Sequence, residues 1–214
     1  MSNKSKLAVA AELLRIKAVK LQPEQPFTWA SGWKSPFYCD NRKTLSFPEL
    51  RTRVKLGLAN LILNEFPEAD IVAGVATGAI AQGALVAEEL GKPFVYVRPK
   101  AKDHGMGNQI EGDVYPGAKV VVVEDLVSTG LSSLRAVDAL RAAGVEVVGM
   151  VASFTYGFSV ATEAFENAGV KLITLTNYEA VVEAAKETNY ITEDVMPTLQ
   201  EWRANPSEWR NDLK

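Results

Sequence analysis

The chain has 214 residues, 47% of them apolar, with a formal net charge of −3. That is material for one substantial core and too little for two full domains, so residues 1–214 are expected to form a single domain. The acidic balance and the strand-sized apolar runs exclude a nucleic-acid footprint and a membrane-spanning helix, and a lone cysteine, Cys39, excludes an intrachain disulfide or a cysteine-built zinc site. Any catalytic metal must use oxygen ligands.

In chain order, residues 5–20 place Leu7, Ala11, Leu14 and Ala18 on one face of a predicted helix that ends before Pro23 and suits a lid. Lysines interrupt the apolar residues of the first 21 positions, unlike a signal peptide, which points to the cytoplasm. Residues 27–42, FTWASGWKSPFYCDNR, mix aromatics with Gly32 and Pro36 and read as short extended pieces joined by turns. After a Pro48-led helix over 48–65, apolar runs at 71–74, 93–97, 120–123, 145–154 and 170–175 alternate with helical stretches at 76–90 and 128–144. That alternation predicts an α/β fold with a mainly parallel, doubly wound sheet. The tail from Thr188 carries Trp202 and Trp209 and is too apolar for a disordered segment, so it is expected to pack against the body.

The chemistry concentrates in VVVVEDLVSTGLSS, residues 120–133. Val120 to Val123 are apolar on both faces, as a central parallel strand requires, and the run breaks abruptly into Glu124 and Asp125. Leu126, Val127, Ser128, Thr129, Gly130, Leu131 and Ser132 then lead into a helix, where free backbone amides, hydroxyls and the positive end of the dipole can hold a phosphate. Ligands of open parallel sheets bind beyond the carboxyl ends of the strands, so carboxylates and cradle would face one crevice, as a sugar phosphate needs. The motifs of P-loop and dinucleotide sites are missing. The plain alternative is that Ser128 and Thr129 cap a helix, but capping does not call for paired carboxylates.

Two other segments bear on the site. Residues 97–112, VRPKAKDHGMGNQIEG, form a polar stretch with three glycines that gathers Arg98, Lys100, Lys102 and His104, the chain's one histidine. This reads as a mobile cationic loop suited to a departing pyrophosphate. GVATGAI, residues 74–80, follows a strand and opens a helix, which suits either a second anion loop or tight helix packing.

Residues 120–133 resemble the signature of type I phosphoribosyltransferases, which bind phosphoribosyl pyrophosphate (PRPP). K-x-K-D-H-G-x-G is similar to the catalytic loop of orotate phosphoribosyltransferases, and F-T-x-x-S-G-x-x-S-P to their N-terminal element. The resemblance runs from Phe27 to about Leu175 with the order of elements intact. It implies the type I fold, with residues 1–45 contributing to a small hood over the base, and Mg2+-dependent transfer of ribose 5-phosphate from PRPP to orotate in pyrimidine biosynthesis.

On that resemblance Glu124 and Asp125 hold the ribose hydroxyls, residues 126–132 wrap the 5-phosphate, Arg98, Lys102 and His104 contact PRPP or pyrophosphate, and Ser128 and Tyr38 contact orotate. Lys102, His104 and Asp125 are the catalytic residues, and no side chain is assigned as a metal ligand. A homodimer is implied, with the 98–111 loop acting across the interface. Many relatives carry Lys where Ala30 and Pro99 stand, and near 154–158 an Arg that binds the orotate carboxylate; here Lys34, Lys100 and Arg42 are the cations left to compensate. A purine-base phosphoribosyltransferase would share the PRPP strand without the cationic loop and the S-P element. A non-catalytic PRPP-sensing regulator would add a basic DNA-binding region.

Overall fold

The computed structural model describes residues 2–29, 32–100 and 109–210. Helix α1 (Asn3–Arg15) leads to the antiparallel pair β1 (Val19–Leu21) and β4 (Phe37–Cys39), between which β2 (Phe27–Thr28) and β3 (Lys34–Ser35) form a second small hairpin. A 3-10 turn (Asn41–Ser46) and α2 (Pro48–Glu65) follow. Then come β5 (Ile71–Val75), α3 (Ile80–Leu90), β6 (Phe94–Val97), β7 (Ile110–Glu111), β8 (Lys119–Val127), α4 (Leu131–Ala142), β9 (Glu146–Thr155), α5 (Ser159–Asn167), β10 (Leu172–Asn177), α6 (Tyr178–Glu187) and α7 (Met196–Ala204).

Six strands form the central sheet in the order β10-β9-β8-β5-β6-β7, parallel throughout except for β7. Its interior explains why the apolar runs are continuous. Val121 and Val123 face the layer of α1, α2, α3 and α6, while Val120 and Val122 face α4 and α5, so β8 is buried on both sides. The doubly wound α/β expectation holds. Among the described residues no helix is long and apolar enough to cross a membrane.

Three expectations are corrected. The first helix stops at Arg15, not at residue 20, because Lys17 takes a left-handed conformation (φ 55°) and Val19–Leu21 pair with β4. It is also no lid: Val9, Ala10, Leu13 and Leu14 are buried, and Thr176 Oγ1 of β10 donates to the Lys6 carbonyl. The helices expected from residues 76 and 128 start later, at Ile80 and Leu131, leaving two turns over the carboxyl ends of β5 and β8. The C-terminal tail packs as expected, with Trp202 fully buried and Trp209 nearly so.

Candidate active site

The site forms where β8 outlasts its neighbour. Pairing with β5 ends at Val123, opposite Gly74, but pairing with β9 continues to Val127, opposite Thr155. Glu124 and Asp125 therefore lie within the strand and not after it, because β9 alone sustains the ladder there. On the side that β5 has vacated, residues 76–79 turn away toward α3, and the crevice opens.

Successive strand residues point to opposite faces, which separates the two carboxylates. Glu124 turns to α4 and is buried; its Oε2 accepts from Ser133 Oγ at 2.7 Å and its Oε1 from the Asp125 backbone N–H at 2.8 Å. Burial pushes its pKa up to about 7, against the pull of those hydrogen bonds. Asp125 faces the other way, over Gly78 and toward the 3-10 turn, where Asn41 Nδ2 donates to the Asp125 carbonyl at 3.0 Å. Burial, helped by the charge of Asp40, raises Asp125 to about 6, while Arg42 and Asn41 pull it back.

The segment after β8 settles what its hydroxyls do. Gly130, at φ 84°, is the N-cap of α4, and no side chain caps the helix. Ser128 and Thr129 are thus not capping residues, and the plain alternative fails. Gly130 suits this turn because a left-handed backbone is costly for residues with a Cβ. Leu131 and Ser132 are exposed at the helix start, whereas the Val127 side chain is buried in the core beneath the site.

Two cavities flank this turn. One, of about 260 Å3, is lined by Thr28, Trp29, Tyr38, Cys39, Leu126, Ser128 and Tyr156, so Tyr38 and Ser128 share one cavity. Its walls are flat and aromatic, of a shape to hold a planar ring. Burial raises the Cys39 thiol and the Tyr156 hydroxyl well above their usual ranges, so both stay protonated and neither serves as a nucleophile. The second, of about 70 Å3, brings Arg98 and Ser132 together with Arg135. Arg98 is held at its edge by Glu111, 3.6 Å away. Arg135 was not singled out in the sequence; the signal was its spacing, one helical turn after Ser132 and on the same face of α4.

Lys102, His104 and Ser31 lie outside the described residues. Among those described, no group of three or more His, Cys, Asp or Glu could hold a metal by itself.

Comparison with known proteins agrees with this layout. Residues 52–186 match the phosphoribosyl transferase domain model. The chain is 64% identical to the orotate phosphoribosyltransferase of Phocaeicola vulgatus over 200 residues, 94% of each protein. Among solved structures it is similar to the orotate phosphoribosyltransferase of Aeropyrum pernix, with a TM-score of 0.74 and 29% identity, covering 86% of this chain and 99% of that one. It is also similar to the Mycobacterium tuberculosis orotate phosphoribosyltransferase in complex with 5-phospho-alpha-D-ribosyl 1-diphosphate, with a TM-score of 0.64 and 25% identity, covering 82% and 98%. The sheet and its flanking helices are those of the type I phosphoribosyltransferase fold.

Proposed function

The chain belongs to the orotate phosphoribosyltransferase family, and from that premise we propose how its own residues carry out the transfer of ribose 5-phosphate from PRPP to orotate. The reaction yields orotidine 5-monophosphate and pyrophosphate, a step of pyrimidine biosynthesis. The observation that carries the assignment of roles is the junction at Ser128, where the aromatic hollow adjoins the turn between β8 and α4 and lies next to Asp125.

In this reading the backbone amides of residues 126–132 and the hydroxyls of Ser128, Thr129 and Ser132 hold the 5-phosphate at the start of α4. Asp125 accepts from the ribose hydroxyls, joined by Glu124 once it exchanges Ser133 for substrate. Residues 75–79 and Arg98 meet the pyrophosphate, with Arg135 adding positive charge beside Ser132. Orotate lies between Tyr38 and the Trp29 and Tyr156 rings, its N1 toward the sugar. Orotate reacts as the anion ionised at N1, its proton released to solvent; as the N1–C1 bond forms, the C1–O bond to pyrophosphate breaks and its electron pair leaves with the pyrophosphate. The ionised Asp125 carboxylate stabilises positive charge on the ribose, and Lys102 and His104 neutralise the leaving group. Alignment and charge do the work; no side-chain nucleophile is needed.

Magnesium fits this donor set. Asp125, half-buried and raised toward neutral pH, faces the crevice, and a hard divalent cation held there mainly by ribose and pyrophosphate oxygens would relieve its charge, with Glu124, on the other face of the strand, joining only on leaving Ser133. When bound it supplies Lewis-acid stabilisation of the leaving pyrophosphate.

The chain acts as one domain whose two small hairpins, from Val19 to Cys39, form the hood over the base. It works as a homodimer in the cytoplasm, each subunit lending its 98–111 loop to the other's site. Incubation with PRPP, magnesium and orotate tests the assignment through loss of orotate absorbance. Turnover of adenine in place of orotate would move the assignment to a purine base, and binding of PRPP with no turnover would leave a sensor.

A further inference from the structure

An acidic base needs a counter-charge, yet no lysine, arginine or histidine is among the described residues that line the aromatic hollow. Two cations stand near it. Arg42 lies at the ribose end: Asp40 accepts from its Nε at 2.7 Å, and the carboxylates of Asp40 and Asp125 act on its charge. Its charge is already offset. Lys34 is placed differently. It pairs with Thr28 across the β2–β3 hairpin, and its Nζ donates to Thr28 Oγ1 at 3.0 Å, while Thr28 itself lines the hollow. Directly paired residues in an antiparallel ladder present their side chains on one face, so the ammonium is held at the rim. Half-buried, it has no carboxylate within ion-pair distance among the described residues.

We propose that Lys34 is the specificity residue that contacts the carboxylate of the pyrimidine, guided by Thr28. This rests on the orotate assignment above and assigns a role that the chain lacks elsewhere: no Arg stands between residues 154 and 158, where Tyr156 and Phe158 are packed into the aromatic core instead. An ammonium contact separates orotate from uracil because a charge-assisted hydrogen bond is stronger than a neutral one and is lost entirely when the carboxylate is absent.

Orotidine and uridine 5-monophosphates differ only in that carboxylate, so their binding isolates it. Calorimetric titration of both into the wild type, Lys34→Gln and Lys34→Arg, with PRPP as a control, gives the readout. Lys34→Gln is expected to lower the preference for the orotidine nucleotide by about 10- to 150-fold, entirely through weaker binding of that nucleotide. Uridine nucleotide and PRPP should bind as before, and Lys34→Arg should recover most of the preference. An unchanged preference in Lys34→Gln overturns the proposal, as does a parallel loss for all three ligands, which would mark Lys34 as structural. A wild type that does not favour the orotidine nucleotide would instead sink the orotate assignment itself.

Discussion

Asp125 leaves no room for a side chain on Gly78: a Cβ there would stand 2.8 Å from Asp125 Oδ2 and 2.9 Å from its Cβ. The turn after β5 and the carboxylate of β8 are therefore fitted to each other across the crevice. The GVATGAI segment reads equally well as an anion loop or as a helix-packing element, but at Gly78 the contact is with the site. Gly78→Ala must move either the turn or Asp125. A shift of that size is expected to lower kcat/KM by about 10- to 100-fold, with only a small drop in melting temperature. Steady-state kinetics with orotate and PRPP, set beside a thermal melt, would check it; normal kinetics would mean the turn yields freely.

The raised carboxylates make the ligand-free protein pH-sensitive. Glu124 rises from 4.5 to about 7 and Asp125 from 3.8 to about 6 on folding, so the folded state holds their protons more tightly than the unfolded chain does. Their contribution to stability is complete below the unfolded values and is lost as pH rises through the folded ones. Calorimetric melting temperatures of the ligand-free protein should fall between pH 3.8 and about 7, and Glu124→Gln should flatten about half of that slope, Asp125 contributing the rest. The slope reflects on the order of 3 kcal/mol for Glu124. PRPP binding should run the other way and tighten with rising pH, because ribose hydroxyls need ionised acceptors.

Lys102 tests the cationic loop. Lys102→Ala is expected to reduce kcat by about 100-fold or more, while leaving the melting temperature nearly unchanged, because the role proposed for it is to neutralise the leaving group. A large fall in melting temperature with normal turnover would give the residue a structural role instead.

The parts of the fold visible in the sequence are those governed by short-range pattern. Parallel strands buried on both faces gave unbroken valine runs, and the helices between them had alanine-rich interiors, so the sheet could be read directly. The hood could not, because β2 and β3 have two residues each and exist only through their pairing. The end of α1 was set by β4, some twenty residues further on, which drew Val19–Leu21 into a strand. Around the site, the phosphate turn was legible because it is contiguous. The base hollow was not, since it joins residues 28, 29, 38, 39, 126, 128 and 156. Nor did the paired carboxylates reveal that strand alternation would send Glu124 to Ser133 and Asp125 to Gly78.

Trp202 shows what the tail contributes to that hollow. Fully buried on α7, it meets Trp29 edge-on at 5.9 Å and Tyr156 at 6.0 Å, both of which line the hollow, and it packs on Phe158 at 5.7 Å and Tyr178 at 5.5 Å behind them. The next residue, Arg203, covers the Phe158 and Tyr178 rings and donates to the Gly157 carbonyl. Truncating Trp202 to Ala removes the common support of these rings and should destabilise the protein by about 3–5 kcal/mol, a melting-temperature loss of roughly 10 °C or more. Trp202→Phe is the more informative variant, because the indole Nε1 has no hydrogen-bond partner among the described residues and a smaller ring keeps most of the packing. In a protein that still folds, the loosened Trp29 and Tyr156 should raise the KM for orotate while the KM for PRPP stays put, since the phosphate turn rests on β8 and α4 and not on α7. Equal changes in both constants would show that the tail supports the domain as a whole and not the base hollow.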